Sequence, residues 1–408
     1  MKVLQINCTY AYGSTGKITQ CIHKKLLEDG FESVVLYGRG PTIEEKGVYR
    51  VCSNLYGKIN NLIARISGIR YGGCRLSTRR VCRIIKMQHP DVVHLQCING
   101  YFINIYRILT WLKENNIPTV LTLHAEFMYT GNCGHSVDCN GWLVGCKDCP
   151  RPKEATKSLF LNSSHQNFMR ISRAFSGFEQ NLRIVSVSPW LMQRARQSPV
   201  LFAKKHCVIL NGIDTTVFHT MDVSALVEKH KIKSRKIIFH VTAMFRDTQN
   251  DPKGGWYILK LAERMKNMPV LFVVAGKHQI GGNIPDNVLL LGEIKDQECL
   301  AKYYNLADLT VITSKRETYS MVCVESLCCG TPVIGFEAGA PEEIALPGYS
   351  CFVPNGDIDA LEDCVCHWLD KKRECQAGEI EDKAAKAYAQ ETMVSQYEDV
   401  YHNIMHGV

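Results

Sequence analysis

The sequence predicts an α/β protein with two doubly wound domains, each a parallel sheet covered by helices on both faces. Two observations carry that prediction. Short apolar runs alternate with helical patterns almost from end to end. The runs are also apolar throughout rather than on alternate residues, as expected of strands buried on both faces. In the first half they are 3–7 (VLQIN), 33–38 (SVVLYG), 91–96 (DVVHLQ), 119–124 (TVLTLH) and 183–188 (RIVSVS). In the second half they are 207–212 (CVILNG), 236–244 (KIIFHVTAM), 270–276 (VLFVVAG), 287–292 (NVLLLG), 309–313 (LTVIT) and 331–336 (TPVIGF). A chain of 408 residues can bury two separate cores. We place the boundary near Pro199 to Lys205, giving domains over 1–200 and 205–390. From about Asp359 the pattern is helical. The closing segment 391–408 carries a helical stripe at Met393, Val394, Tyr397, Val400, Tyr401 and Ile404. Ligands of such sheets bind beyond the carboxyl ends of the strands.

Composition narrows the class. There are 48 Lys and Arg against 40 Asp and Glu, a mildly basic balance that suits an anionic ligand or surface. Met1 to Asn7 reads as a first strand rather than a signal peptide, and no apolar run approaches the ~20 residues that span a bilayer. The expected setting is cytoplasmic and reducing, with most of the 19 cysteines acting as small core residues rather than disulfides.

The first strand leads into Tyr12-Gly13-Ser14-Thr15-Gly16-Lys17, with a helix expected from about Ile18 to Glu28. A glycine-rich turn at a helix start can cradle a phosphate, although a tight βα turn explains it equally well. It is not a Walker A loop, because Ala11 and Ile18 stand where that motif needs Gly and Ser/Thr. Residues 46–90 then hold ten cations and no acid, interleaved with apolar residues such as Leu62, Ile63, Ile66 and Leu76. That pattern fits contact with anionic lipid. A solvated basic face is the plainer alternative, and nucleic acid is not expected because no binding module accompanies the patch. His94 and His124 end two strands, where a lone histidine is usually structural.

The loop 129–157 is the most distinctive stretch. Cys133, Cys139, Cys146 and Cys149 fall within 17 residues and end in a C-x-x-C pair. Four thiolates at this spacing could form a tetrahedral structural zinc site, with His135 able to replace one of them. A redox pair is the alternative, without a thioredoxin-like context. The loop has little apolar content, so it needs a staple.

In the second half, Asn211-Gly212-Ile213-Asp214 with Phe218 marks entry into the second domain. After the strand ending at Met244, Arg246 and Lys253 stand seven apart on a loop before a helix. Two such cations suit the charge that builds on a departing diphosphate. Gly276 ends the next strand. The organising stretch is Glu317-Thr318-Tyr319-Ser320-Met321-Val322-Cys323-Val324-Glu325. Two carboxylates lie eight apart across a strand-to-helix turn, just over two helical turns, so both can flank the helix tip. Free amides around Thr318 to Met321 would face an anion there. An acid beside a helix dipole is the bland reading.

The paired glutamates, the Arg246 and Lys253 loop, the NGID turn and the strand-end His124 together resemble the retaining glycosyltransferases of family 4. The cysteine stretch resembles the insertion of bacterial polysaccharide glycosyltransferases of the colanic acid type, with Ala125 where an aspartate is usual. The resemblance implies a GT-B fold whose last helix crosses back to the first domain. It implies a nucleotide-sugar donor, most simply a uridine diphosphate sugar, and a polysaccharide or lipid-linked glycan acceptor. A lipid-linked acceptor would place the enzyme peripherally on the inner face of the plasma membrane. In that family Glu317 and His124 would orient the donor sugar, and Arg246 and Lys253 would clamp the leaving diphosphate. Glu325 would hold the ribose. Gly13, Ser14, Gly16, Gly276 and Thr318 to Met321 would line the donor, and no cofactor would be needed for transfer. Two other readings stay open: a metal-stapled protein that binds nucleic acid or glycan, and a nucleotide-sugar epimerase on the same fold.

Overall fold

The computed structural model describes residues 1–155, 157–230, 232, 234–370 and 377–407. The chain divides into two compact units, Met1–Leu210 joined by the residues from Met393 onward, and Asn211–Thr392.

The first unit is built on seven strands: β1 (Lys2–Asn7), β2 (Glu32–Tyr37), β3 (Val48–Arg50), β4 (Val92–Leu95), β5 (Thr119–Leu123), β6 (Leu182–Ser186) and β7 (Lys205–Val208). Their order is β3-β2-β1-β4-β5-β6-β7, and the pairings are parallel. The second unit has β8 (Lys236–Arg246), β9 (Val270–Gln279), β10 (Val288–Gly292), β11 (Leu309–Ile312), β12 (Val333–Phe336) and β13 (Ser350–Val353). The order is β10-β9-β8-β11-β12-β13, again with parallel pairing. Each sheet reverses direction of growth at its first strand, β1 or β8, which is the doubly wound pattern the sequence predicts.

Four details differ from the sequence expectation. The run 207–212 does not open the second series; its ordered part pairs with β6 at the edge of the first sheet, and the division between units falls after Leu210. Edge strands β3 and β13 are only three and four residues long, too short to stand out as apolar runs. β8 and β9 run past Met244 and Gly276 to pair Arg246 with Gln279. The helical stretch expected from Asp359 comprises Ile358–Leu369, Ala377–Tyr388 and Gln390–Met405, while residues 371–376 lie outside the described residues.

The first core packs Val3, Val92, Val120 and Val185 of the sheet against Ile18, Ile22 and Leu26 of helix α1 (Gly13–Glu28). Met393, Val394, Tyr397, Tyr401 and Ile404 of the closing helix join the same cluster. Each such buried side chain contributes roughly 1.5–3 kcal/mol. Polar groups pin this helix as well. His94 on β4 bonds the Tyr401 hydroxyl at 2.7 Å through Nδ1 and Thr122 Oγ1 at 2.8 Å through Nε2, and Thr122 Oγ1 meets the Tyr397 hydroxyl at 2.9 Å. The network is buried, so its members must satisfy one another.

Burial, with a smaller push from His124, pulls the His94 pKa down to about 3. A group whose folded pKa is depressed stabilises the fold above its unfolded value, near 6.5, and loses that stability as pH falls toward about 3. Between pH 7 and pH 5 this one histidine should cost about 2 kcal/mol. Thermal melting at both pH values should show a smaller acid loss for His94→Gln than for the wild type. Equal losses would mean that His94 is not held neutral.

Candidate active site

The second unit gathers its chemistry at the carboxyl edge of its sheet. β8 and β11 are adjacent, pairing Ile238 with Leu309 and Phe239 with Thr310, so the segments that leave them meet. Gly254 lets them touch: its φ is 71°, and a Cβ there would lie 2.0 Å from the Thr313 carbonyl oxygen. Thr313 Oγ1 donates to the carbonyls of Lys253 (3.2 Å) and Gly254 (3.0 Å), and Lys315 N donates to Pro252 O at 2.9 Å.

That stapling brings Lys253 Nζ to Glu317 Oε1 at 2.5 Å. Arg246 Nη1 donates to Asp251 Oδ2 at 2.9 Å, and Asp251 also accepts from Lys253 N at 2.9 Å. Arg246, Lys253 and Glu317 thus form one cluster with Asp251, whose part the sequence left unassigned although it shares their loop. Glu317 sits in a bridge to Gly339, with Glu317 N donating to Ala338 O at 2.9 Å. The helix Met321–Cys328 follows, capped by Ser320, whose hydroxyl accepts from Cys323 N at 3.2 Å. Thr318 and Ser320 are buried in the turn, and Met321 is half-buried.

Glu325 lies one turn into this helix, half-buried, and its Oε2 accepts from the Tyr304 hydroxyl at 2.8 Å. Tyr304 carries no sequence motif; only the packing of its helix against Met321–Cys328 reveals it. Tyr319 departs from the expectation of a donor contact through its side chain. Its ring is buried and its hydroxyl donates to Asn211 O at 2.9 Å, which leaves its main chain to the turn. Gly276 lies inside β9 rather than at its end. Its φ is 140°, a Cβ would lie 1.9 Å from Thr242 O, and the β8 register shifts between Val241 and Met244 beside it. Close packing of two strands is therefore what requires glycine there.

Two other carboxylates occupy backbone cradles at this edge. Glu342 accepts from Ala338 N (3.0 Å) and Gly339 N (2.7 Å), and Asp247 accepts from Gly281 N (2.8 Å) and Gly282 N (2.9 Å). Paired amides of this kind favour anions.

In the first unit the glycine-rich stretch is not a loop before α1 but its first turn, because the helix begins at Gly13. Gly13 and Ser14 are exposed, and Gly16 is buried with a Cβ position 2.8 Å from Thr9 Oγ1. The helix start carries no side-chain cap, so its first amides remain directed outward. His124 follows β5 and bonds Gln96 Oε1 at 2.9 Å through Nε2. Burial lowers its pKa to about 4, so the ring is neutral at pH 7.

Cys133, Cys139, Cys146 and Cys149 all line one small pocket, with Trp142, Thr130 and Gly131. Cys146 Sγ accepts from Gly131 N at 3.2 Å and Cys139 Sγ from Gly141 N at 3.4 Å, while Cys133 Sγ donates to His135 O at 2.9 Å. Burial raises the thiols of Cys133 to about 12 and Cys146 to about 11. Among the described residues, no group of three or more His, Cys, Asp or Glu side chains stands placed to hold a metal ion. The loop has another staple that the sequence did not reveal. Glu126 is fully buried; it accepts from Ser136 N (2.5 Å), Tyr129 Oη (3.0 Å) and Arg194 Nε (2.8 Å). The Arg194 guanidinium also lies over the Trp142 ring, 4.7 Å from its centroid.

Comparison with known proteins bears on this arrangement. The sequence profile of the family described as "Glycosyl transferases group 1" matches residues 225–390. A protein of Escherichia coli (strain K12) described as a colanic acid biosynthesis glycosyl transferase, WcaC, is 22% identical over 99% of this chain and 100% of its own length. Among solved structures, sucrose-phosphate synthase from Thermosynechococcus elongatus superposes with a TM-score of 0.68 at 15% identity, covering 100% of both chains. Alr3699/HepE of Anabaena, solved with UDP and also with UDP-glucose, gives a TM-score of 0.66 with UDP at 15% identity, over 99% of this chain and 100% of its own. The fold and the profile match define a glycosyltransferase of the GT-B class. Within that class residues 225–390 match the group 1 glycosyl transferases, and the paired glutamates resemble the family-4 type.

The Glu126–Arg194 pair gives a direct test of the staple. Removing one partner of a buried pair leaves an uncompensated charge and costs about 3–5 kcal/mol. Arg194→Met should lower stability by that amount in urea denaturation, whereas a loss below about 1 kcal/mol would mean the loop is held by other contacts.

Proposed function

We propose that the chain transfers a hexosyl group from a uridine diphosphate sugar to a polysaccharide or lipid-linked glycan acceptor, with retention at the anomeric carbon. One observation carries this reading: Arg246, Lys253, Glu317 and the Ser320-capped helix tip converge at one edge of the second sheet. The relatives support the finer terms, since HepE is solved with UDP and WcaC is described in colanic acid biosynthesis. We read the enzyme as working against the inner face of the plasma membrane.

In this reading the donor diphosphate takes the two cations and the amides of the helix tip. The Lys253–Glu317 pair it displaces is part-exposed, with the Lys253 side chain at 44%, so the exchange costs about 1 kcal/mol or less. Released from Lys253, Glu317 turns to the donor sugar. Glu325, steadied by Tyr304, accepts from the ribose hydroxyls. The acceptor hydroxyl oxygen bonds to the anomeric carbon as the bond from that carbon to the phosphate oxygen breaks. The electron pair leaves on the nucleoside diphosphate, where Arg246 and Lys253 stabilise it, and a phosphate oxygen takes the acceptor proton. Gly13, Ser14, Gly16 and His124 of the first unit keep the donor-binding roles that the family resemblance implies.

Thermal shift and turnover with uridine, guanosine and adenosine diphosphate sugars test this reading. The uridine donor should stabilise the wild type, with slow release of UDP. Glu325→Ala should weaken its binding about tenfold to a hundredfold, the value of one or two hydrogen bonds to a charged group. Lys253→Ala should lower kcat about a hundredfold or more. No stabilisation by any nucleotide, together with tight nucleic-acid binding at low salt, would favour the binding-protein alternative.

A second element of the proposal is a structural zinc ion around which Cys133, Cys139, Cys146 and Cys149 would draw together; they line one pocket but are not placed as a ligand set. The amides of Gly131 and Gly141 already face sulfur atoms, as suits thiolates. Burial keeps the metal-free thiols of Cys133 and Cys146 protonated at pH 7, and a bound cation would reverse that. Four protein ligands leave no open position, so the metal would brace the loop and take no part in transfer. Purified protein should carry about one zinc per chain by elemental analysis, and Cys146→Ser/Cys149→Ser should lose it. Zinc-free protein of unchanged stability would remove the metal from the reading.

A further inference from the structure

Helix α2 (Asn54–Ser67) is turned the wrong way for a surface helix. Its buried residues are Gly57, Asn60 and Ala64, small or polar. Its long apolar residues face solvent: Leu55 is 70% exposed and Leu62 55%, with Ile59, Ile63 and Ile66 also exposed. Positions 55, 59, 62 and 66 fall on one stripe at helical spacing. A surface helix normally presents such a stripe to the core. The following helix α3 (Arg75–Gln88) buries Val81 and Ile85 with Ser77 and Thr78 and exposes Arg79, Arg80 and Arg83, its exposed apolar residues being confined to Leu76 and Met87 near its two ends. The structure therefore divides the basic stretch 46–90 into two faces of different character.

A second segment extends the stripe. Leu159 N donates to Arg65 O at 2.8 Å, which fixes the 158–161 turn beside the end of α2. Leu159, Phe160 and Leu161 are all exposed there, Phe160 at 78%. Cations border the strip. Lys58 and Arg65 project from α2, and Arg65, Lys153 and Lys157 line a shallow recess with Asn61, Ser158 and Leu159. Glu154 is the acid on this border. The helix needs no partner to form, because Ser53 Oγ accepts from Tyr56 N at 3.2 Å and Gly68 closes the other end with a φ of 68°.

We propose that the outer face of α2 and the 158–161 turn dock on an anionic phospholipid bilayer. The helix lies in the interface plane, its leucines and isoleucines and Phe160 entering the acyl boundary while Lys58, Arg65, Lys153 and Lys157 meet the headgroups. Exposed apolar area rimmed by cations is the surface such a membrane recognises. The proposal is independent of the transferase reading, since it requires neither donor nor acceptor.

Co-sedimentation of the full chain with vesicles tests it, using phosphatidylcholine alone and phosphatidylcholine with phosphatidylglycerol as about a third of the lipid. The wild type should pellet with the anionic vesicles and stay in solution with the neutral ones. Leu62→Ser/Phe160→Ser should lose binding at an unchanged Tm, and Lys153→Ala/Lys157→Ala should weaken it about tenfold. A wild type that never pellets overturns the proposal. So does binding that survives Leu62→Ser/Phe160→Ser but not Arg79→Ala/Arg83→Ala, which would move the contact to α3. A wild-type dimer in size exclusion that Leu62→Ser/Phe160→Ser makes monomeric, without vesicle binding, assigns the strip to a second copy instead.

Discussion

The candidate active site rests on the parallel pairing of β8 with β11. Parallel strands cannot be joined by a tight turn, so each must leave the sheet at its carboxyl end through a loop and a helix. Pairing β8 directly with β11 therefore puts the loop bearing Arg246, Asp251 and Lys253 against the turn bearing Glu317 and Ser320. Residues more than sixty positions apart become hydrogen-bond partners through that one adjacency. Gly254 and Gly276 are the local conditions for it. At both positions a side chain would strike a carbonyl oxygen at about van der Waals overlap, so the strands and loops could not close to their observed spacing.

The edge so formed is electrostatically biased toward anions, and the chain satisfies that bias with its own acids. Glu317 sits on Lys253, Asp251 on Arg246, Glu342 on two amides and Asp247 on two more. These internal anions differ in how firmly they are held. Asp251 is buried and also accepts from the Lys253 backbone, so it fixes the loop. The Lys253–Glu317 contact is a single part-exposed ion pair, and such pairs are worth little in water. The cation of the pair that gives way most easily is, in the proposed reaction, the one that meets the incoming diphosphate. In the proposed reaction the same lysine thus has two partners in turn, and Glu317 becomes available to the sugar only when the phosphate arrives.

Much of this was legible in the sequence because it depends on local spacing. Continuous apolar runs announce parallel strands, and a carboxylate eight positions from another across a strand-to-helix turn announces two sides of one helix tip. What sequence could not show depends on contacts between distant segments. Tyr304 reaches Glu325 from the neighbouring helix, and nothing in its surroundings marks it. Glu126 and Arg194 look like surface residues in sequence, yet they form the buried pair that anchors the cysteine loop. Tyr319 sits inside the motif but points away from it, because the hydroxyl of a buried tyrosine needs a partner and the Asn211 carbonyl supplies one. The run 207–212 joins the first sheet rather than the second for a related reason: an apolar run specifies a strand, not its neighbour.

The direction of α2 belongs to the same class of facts. Its sequence holds both a small-residue face and a large apolar face, and periodicity alone cannot say which one meets the core. Packing decides. Asn60 accepts from Cys74 N at 2.7 Å and donates to Tyr56 O at 2.8 Å, and the space at Gly73 is filled by the Asn60 side chain, with a Cβ position only 2.4 Å from its Oδ1. Turning a leucine into that position would orphan the Cys74 amide and overfill the site. Each inward alternative thus costs hydrogen bonds and volume. The long apolar residues remain outside because the inner face is committed to a polar contact, and their exposure is a fixed feature of the fold.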